Sequence, residues 1–178
     1  MRIIAGKHKS RVLNTLSGMN TRPMTDRIKE SIFNTIGPYF NGGKVLDLFG
    51  GSGALSLEAI SRGMEEAFIC DNFLDAVKVI NSNVTMLKED KNVHVLKMDY
   101  KQAIRRFSDV KFDLIFLDPP YRLNINNEII DELKNKDMLN DGCIIVCQYV
   151  RGNMNDVEEL TLLKNYSTGN SEVSIYQK

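Results

Sequence analysis

From residue 44 onward, short apolar runs alternate with longer segments whose apolar positions repeat at helical spacing. The apolar runs predict five strands, at 45–49, 67–71, 93–98, 112–117 and 142–149. The segments between them predict four helices, at 54–62, 73–87, 100–107 and 127–134. Two weaker strand candidates follow, at 159–163 and 172–176. This alternation predicts an α/β fold, a mostly parallel seven-stranded sheet with helices on both faces.

The N-terminal region has a different pattern. Its first 18 residues hold short apolar pieces between basic residues, which predicts a small β-hairpin or an extended arm. An N-capping residue, Thr25 or Asp26, then begins a helix that ends at Gly37. Residues 1–40 are therefore predicted to be an extension of the domain at 41–178.

Charge is distributed unevenly along the chain. The 178 residues carry 23 basic and 23 acidic side chains, and a net charge of zero taken alone argues against a nucleic-acid partner. The first thirty residues, however, hold seven basic side chains against two acidic ones. The basic residues are Arg2, Lys7, Lys9, Arg11, Arg22, Arg27 and Lys29. This asymmetry predicts a localised phosphate-binding surface, with a solvated basic face that binds no partner as the alternative.

Cysteine and histidine usage excludes several classes of site. Cys70, Cys143 and Cys147 fall in apolar runs without a CxxC pair, which indicates reduced core residues of a cytoplasmic protein. The two histidines, His8 and His94, form no HExxH motif, so no metal site is expected. The N-terminus lacks an apolar signal region, and no apolar run is long enough to span a membrane.

The predicted strand at 112–117 is followed by Asp118-Pro119-Pro120-Tyr121. Pro119 cannot continue the strand ladder, so the chain leaves the sheet at the edge where α/β proteins bind ligands. A carboxylate and main-chain carbonyls can accept N–H bonds from a planar amine, while an aromatic ring stacks on its face. An ordinary proline turn after a strand is the alternative interpretation.

A glycine-rich turn, Gly50-Gly51-Ser52-Gly53, lies between the first predicted strand and its helix. Glycines there allow a sharp turn and a close approach to a ligand. The pattern is a poor dinucleotide fingerprint, because Ser56 stands where the third glycine is expected. Asp47 would also repel a pyrophosphate. That carboxylate suits a ligand with an ammonium group, such as the methionine end of S-adenosylmethionine.

Four aspartates, Asp47, Asp71, Asp99 and Asp118, each follow or end one of four successive predicted strands. At the end of the second strand, Asp71 can accept hydrogen bonds from ribose hydroxyls. At the end of the third, Asp99 can meet an adenine amine or can cap the next helix. Because the carboxyl ends of parallel strands meet at one edge, the four side chains are expected to converge on one crevice.

This combination resembles the class I S-adenosylmethionine-dependent methyltransferases, which have a Rossmann-like fold. The DPPY form resembles those that methylate exocyclic amines of nucleobases. The opening residues 1–7, the segment 21–27 and Phe33-Asn34 resemble one family, the bacterial 16S ribosomal RNA (guanine-N2)-methyltransferases or RsmD family. The similarity covers nearly the whole chain. Met24 and Gln148 depart from the family pattern, where threonine and glutamate are expected.

The resemblance implies a set of site residues, a cofactor and a partner. The catalytic loop would be Asp118, Pro119, Pro120 and Tyr121. S-Adenosylmethionine would be bound by Asp47, Phe49, Gly50, Gly51, Ser52, Gly53, Asp71, Asn72, Met98 and Asp99. RNA would be contacted by Arg2, Lys7, Lys9, Arg11, Arg22, Pro23, Thr25 and Arg27. The partner would be 16S rRNA or the assembling small ribosomal subunit, and the protein is expected to act as a cytoplasmic monomer without a metal.

Three alternatives stay open at this point. A DNA amino-methyltransferase, or one acting on another RNA, would share the catalytic loop, although no separate target-recognition domain is evident at this length. An NAD-dependent dehydrogenase would share the fold but not the glycine pattern. A non-catalytic RNA-binding protein could also retain the fold, although the intact motifs argue against it.

Overall fold

The computed structural model describes residues 1–16 and 25–178, except for the side chains of Tyr121 and Thr168. Its strands are β1 (Lys44–Asp47), β2 (Glu66–Asp71), β3 (Val93–Lys97), β4 (Phe112–Leu117), β5 (Leu139–Val150), β6 (Thr161–Thr168) and β7 (Ser171–Gln177). Its helices are α1 (Asp26–Ile36), α2 (Ala54–Ser61), α3 (Leu74–Leu87), α4 (Tyr100–Arg106) and α5 (Asn126–Asn135), with a 3-10 turn at Tyr121–Leu123.

The seven strands form one mixed sheet in the order β3-β2-β1-β4-β5-β7-β6. The first five strands are parallel, and β7 pairs antiparallel with both β5 and β6. This confirms the predicted α/β sheet. Three predicted strand ranges were wrong by two residues or more: β1 ends at Asp47 rather than at 49, β5 begins at Leu139 rather than at 142, and β6 spans Thr161–Thr168 rather than 159–163. Most of β6 is an exposed edge strand, so its sequence lacks the alternation that a half-buried strand shows.

Helices cover the sheet on both faces, as predicted. Alternate residues of each strand point to opposite faces, so Val45 and Leu46 of β1 belong to two separate hydrophobic clusters. The Val45 cluster includes residues of α1, α2 and α3, whereas the Leu46 cluster includes residues of α4 and α5. Burial of both faces explains why the central strands read as nearly continuous apolar runs.

The N-terminal extension packs into the same core as the sheet. The chain turns back on itself through an antiparallel bridge between Arg2 and Val12. Ile3 and Leu13 are buried in the cluster that also contains Phe33 of α1. The described part of the arm is thus a hairpin-like loop, although a single bridge replaces the ladder of a regular β-hairpin.

A buried carboxylate on α2 fastens this arm. Glu58 accepts hydrogen bonds from the main-chain N–H groups of Ile4 (2.8 Å) and Ala5 (3.0 Å). It also pairs with Lys29 (3.2 Å) and with Arg62 (2.7 Å). The sequence predicts Lys29 to belong to the basic surface, and this is wrong: the side chain is fully buried, and burial lowers its pKa.

The order of the strands reverses between β1 and β4, which lie side by side in the sheet. In sheets of this type, ligands bind in the crevice beyond the carboxyl ends of the strands at such a switch point. In the two described ranges, no helix is long and apolar enough to cross a membrane. The same ranges contain no His, Cys, Asp or Glu cluster that is arranged to hold a metal ion.

Candidate functional site

Asp47 and Asp118 lie on neighbouring strand ends at the switch point. Asp47 is the last residue of β1 and is paired in register with Phe116, two residues before Asp118. Only 3% of Asp47 is exposed, and its carboxylate accepts hydrogen bonds from the Ser56 hydroxyl (2.9 Å) and the Phe49 N–H (3.3 Å). Burial raises the pKa of Asp47 to about 7, and the nearby negative charge of Asp118 adds to this shift. Asp47 and Asp118 are therefore neighbours at the edge of the sheet, as predicted, while their shared contact with a ligand stays a prediction.

The glycine-rich turn between β1 and α2 is held against the end of β2. The Gly50 N–H donates to the carbonyl of Cys70 (2.9 Å), and a Cβ atom at Gly50 would lie 2.5 Å from Cγ2 of Ile69. Gly53 has a left-handed backbone, with φ of +76°. A Cβ at Gly51 would meet nothing within 4 Å. The turn thus packs tightly on one side and has open space at Gly51.

Asp71, at the end of β2, supports the same turn. Its carboxylate accepts hydrogen bonds from the N–H of Gly51 (2.9 Å) and of Phe73 (2.8 Å). Asn72 follows in an exposed position, and the N–H of Met98 donates to the Asp71 carbonyl (3.0 Å). These contacts join the glycine-rich turn to the ends of β2 and β3, where the cofactor residues were predicted.

Asp99 caps helix α4. Its side chain accepts from the N–H of Gln102 (2.8 Å), and the Gln102 side chain accepts from the N–H of Asp99 (3.2 Å). Such a reciprocal capping box stabilises the first turn of a helix. Asp99 therefore has the helix-capping role that the sequence also allowed, and its contact with an adenine stays a prediction. Phe49 lies beside this helix, with its ring centroid 5.9 Å from that of Tyr100.

The catalytic loop predicted at 118–121 leaves the sheet directly after β4. Asp118 is half-buried, and burial raises the pKa of its carboxyl to about 6. Pro119 is buried and Pro120 is exposed at the start of the 3-10 turn. The side chain of Tyr121 lies outside the described part of the structure, so its stacking role stays a prediction.

The N-terminal end of helix α1 lies on the same side of the molecule as the glycine-rich turn. The Lys29–Glu58 ion pair and the position of Arg62, 4.8 Å above the Phe33 ring, show that α1 and α2 run in the same direction. Four predicted RNA contacts are described near this end or in the adjoining arm. Arg2 pairs with Asp26 (3.4 Å), Thr25 caps α1 through its hydroxyl, and Arg11 and Arg27 are exposed. Arg22, Pro23 and Met24 lie outside the described residues.

Lys7 and Lys9 lie at the opposite end of α2. The N–H of Lys7 donates to the carbonyl of Ser61 (2.9 Å), the last residue of this helix, which is about 12 Å long. Both lysines line a cleft of about 680 Å³ together with Tyr39, which is 66% exposed. Lys7 also pairs with Glu89 (2.7 Å). The basic residues therefore divide between two places, instead of forming the single surface that the sequence predicted.

Comparison with known proteins assigns the chain to a family. A family model described as conserved hypothetical protein 95 matches residues 1–177. The chain belongs to this family, the RsmD family. YlbH of Bacillus subtilis is 38% identical over 100% of this chain and 99% of its own length. Ribosomal RNA small subunit methyltransferase D of Haemophilus influenzae is 32% identical over 99% of this chain and 93% of its own length.

Solved structures agree with this assignment. A conserved hypothetical protein from Streptococcus pyogenes superimposes with a TM-score of 0.79 at 38% identity, covering 84% of this chain and 94% of that chain. An Escherichia coli protein, yhhF, superimposes with a TM-score of 0.85 at 28% identity, covering 100% and 97%. The predicted Rossmann-like methyltransferase fold is thereby confirmed for this member of the RsmD family, whose expected cofactor is S-adenosylmethionine.

The residues at the switch point fit this cofactor. Asp47 is a nearly fully buried carboxylate, and no lysine or arginine of the described ranges pairs with it. A buried charge is costly without a partner, so this position favours a ligand that brings a positive group. The open space at Gly51, four residues further along the chain, gives a ligand access to the turn.

Three further buried polar residues, which the sequence patterns above do not single out, support the site. Glu58 is the one charged residue of α2, whose other residues are apolar or serine, and this isolated charge was a usable signal. Asn83, fully buried on α3, donates to the carbonyl oxygens of both Asn14 and Ser52. Asn126, at the start of α5, is buried beside the catalytic loop. Helical periodicity was a usable signal for both asparagines, because Asn83 follows Ile80 by three residues and Asn126 precedes Ile129 by three.

Proposed function

We propose that this chain transfers a methyl group from S-adenosylmethionine to the exocyclic N2 amine of a guanine in 16S ribosomal RNA. The observation that carries the proposal is the juxtaposition of Asp47 and Asp118 at the switch point, with the Asp118-Pro119-Pro120-Tyr121 loop beyond β4. The name of the Haemophilus influenzae relative, a small-subunit rRNA methyltransferase, supports the choice of RNA.

The cofactor half of the crevice would be formed by β1, β2 and β3. Asp47 would hold the ammonium group, Asp71 the ribose hydroxyls and Asp99 the adenine amine, with Phe49 and Met98 beside them. When bound, the cofactor supplies an electrophilic methyl group on a sulfonium centre. The turn at 50–53 would let the backbone approach this ligand closely.

The acceptor half would be formed by the loop after β4. Asp118 and the carbonyl of Pro119 would accept N–H bonds from the guanine amine, while Tyr121 would stack on the base. These bonds draw the two hydrogens aside, so that the nitrogen lone pair, otherwise delocalised into the ring, is directed at the methyl carbon. The methyl group would pass to this nitrogen as its bond to sulfur breaks, and the alkylated amine would release its extra proton to solvent. Positioning and preorganised electrostatics supply most of the acceleration.

The arm and the start of α1 would supply affinity for the RNA backbone. A flipped guanine offers little surface by itself, so phosphate contacts from basic side chains are needed for binding. Arg11 and Arg27 are exposed and are available for such contacts. Lys7 and Lys9 would contact a second part of the RNA, at the far end of α2.

The test is transfer of a labelled methyl group to small ribosomal subunits from cells that lack this chain, followed by mass mapping of the modified nucleoside. We expect N2-methylguanine in 16S rRNA and no transfer to duplex DNA. Asp118→Ala is expected to abolish transfer while calorimetry still detects cofactor binding. Asp47→Ala is expected to weaken cofactor binding.

The opposite pattern for the two variants would contradict the assigned roles. Methylation of duplex DNA would favour the DNA amino-methyltransferase. Cofactor binding without transfer to any nucleic acid would leave a non-catalytic RNA-binding protein.

A further inference from the structure

A small niche lies behind the catalytic loop, between the ends of β4 and β5. It is lined by Pro119 and Pro120 of the loop, by Asn126 of α5, and by Gln148 and Tyr149 of β5. Its free volume of about 10 Å³ has room for one water molecule. The niche is on the acceptor half of the crevice, away from β1, β2 and β3.

The side chain of Asn126 has a fixed orientation in this niche. It is 5% exposed, and its Nδ2 donates to the main-chain carbonyl of Gln148, 2.9 Å away. A flipped amide would place its oxygen against that carbonyl oxygen, so Nδ2 must face β5 and Oδ1 must face the other way. Oδ1 is buried and accepts no hydrogen bond from the described residues.

An acceptor in this state is unusual. A buried polar atom without a partner costs about 1–3 kcal/mol, and most such atoms in native proteins are satisfied. The carbonyl group of an asparagine accepts N–H or O–H donors and donates nothing. A ligand that completes the site must therefore present a donor.

We infer that Asn126 Oδ1 accepts the N1–H of the target base and thereby selects guanine over adenine. The inference rests on the proposed function. In guanine, N1–H lies directly beside the N2 amine, so an acceptor next to Pro119 is placed to receive it while Asp118 and the Pro119 carbonyl receive the amine. Adenine carries an unprotonated N1, which would leave two acceptors facing each other.

The exposed turn that covers the niche gives the base a route of entry. Pro120 and Asn124 line the niche from this turn, and both are exposed. The niche is too small for a purine, so the turn must move outward when the base binds. Asn126 itself stays in place, because helix α5 and strand β5 are buried against the core.

A purely structural role for Asn126 makes a different prediction. If the side chain only ties α5 to β5, its loss would lower activity on every base equally. Asn127 provides a matched control. Its side chain also forms hydrogen bonds to a main chain, that of Asn155 (3.1 and 3.2 Å), but does not line the niche.

The experiment compares guanine with 2-aminopurine, which keeps the N2 amine but has no N1–H. Small subunits are reconstituted with either base at the position that mass mapping identifies, and kcat/KM for methyl transfer is measured for each. The wild-type protein is expected to favour guanine by about 10- to 100-fold, the effect of one buried hydrogen bond. Asn126→Ala should lower transfer to guanine by a similar factor and leave transfer to 2-aminopurine within about twofold.

The control variant decides between the two roles. Asn127→Ala should keep the preference for guanine. Equal losses on both bases in Asn126→Ala, or no preference in the wild-type protein, would overturn the inference while leaving the proposed function intact. Failure of the wild-type protein to methylate the guanine-containing subunit would instead overturn the proposed function and the inference with it.

Discussion

The Nδ2 atom of Asn83 lies 2.9 Å from the carbonyl oxygen of Ser52 and donates a hydrogen bond to it from a fully buried position on α3. The same side chain binds both main-chain groups of Asn14, accepting from its N–H (2.8 Å) and donating to its carbonyl (3.0 Å). One amide thus joins the N-terminal arm to the glycine-rich turn. The predicted RNA-binding and cofactor-binding segments share a single support.

Loss of the Asn83 hydrogen bonds should weaken S-adenosylmethionine binding beyond what a lower free energy of unfolding alone would cause. Asn83→Ala leaves the Ser52 carbonyl and both groups of Asn14 without their partner. We expect the free energy of unfolding to fall by about 2–4 kcal/mol, because a buried group left unpaired costs about 1–3 kcal/mol and the two groups of the exposed Asn14 cost less when water reaches them. We also expect weaker S-adenosylmethionine binding by calorimetry, measured well below the unfolding temperature.

Asn81 on the same helix is the matched control. It is exposed, and its Nδ2 donates to the Val77 carbonyl within α3. Asn81→Ala should change the free energy of unfolding by no more than about 0.5 kcal/mol and leave cofactor affinity unchanged. Equal effects of the two variants would show that Asn83 does not support the turn.

Substitution of Glu58 is expected to destabilise the protein more than substitution of any other charged residue of the described core. Glu58→Gln leaves Lys29 and Arg62 buried without a negative partner, which typically costs about 3–5 kcal/mol. Because Glu58 also accepts from the main chain of the arm, trypsin should cut at Lys9 or Arg11 faster in the variant. Denaturant unfolding and timed proteolysis measure the two effects. Glu30→Gln, an exposed neighbour of Lys29, should change neither, and an unaffected Glu58→Gln protein would refute this role.

The strand ends could be predicted from sequence, whereas the partners of buried charges could not. Asp47, Asp71, Asp99 and Asp118 were assigned to one edge because parallel strands end together, and the structure has them at the ends of successive strands. This inference needs only the strand–helix alternation, which the buried apolar runs make clear.

Lys29 is a buried charge whose partner could not be predicted from the sequence. It precedes Ile32 and Phe33 by three and four residues, so helical periodicity places it on the buried face of α1. Its charge nevertheless led to a surface assignment. The compensating Glu58 is on another helix, 29 residues along the chain, and no local pattern predicts that contact. The contacts of Asn83 and Asn126 are equally hard to predict, since their partners come from distant segments.

The raised pKa of Asp47 predicts the pH dependence of stability in the cofactor-free protein. The carboxyl holds its proton up to about pH 7 when folded and releases it near its ordinary value of 3.8 when unfolded. Between these values the folded state binds more protons, so the free energy of unfolding should fall as pH rises from about 4 to about 7 and then level off. A shift of about three units corresponds to at most about 4 kcal/mol.

Asp47→Asn removes this titration. The difference in the free energy of unfolding between variant and wild type, measured in urea, should move in favour of the variant as pH rises to 7. The pKa of Asp118 is raised to about 6, so the free energy of unfolding of the variant should still fall with pH, but less steeply than that of the wild type. A difference that stays constant from pH 4.5 to pH 8 would contradict the raised pKa of Asp47.

The basic residues beside the crevice should determine how strongly RNA binding depends on salt. Arg11 and Arg27 are exposed and form no ion pair with the described residues, so their charges are available to phosphates. Arg11→Gln combined with Arg27→Gln should reduce the slope of log K against log salt by about one unit per lost contact and leave the choice of base unchanged. Lys111→Gln is the control, because this exposed lysine precedes β4 at the opposite edge of the sheet and pairs with Asp137. If the double variant kept the wild-type slope, or if Lys111→Gln lowered it equally, the backbone of the RNA would not follow the arm and the start of α1.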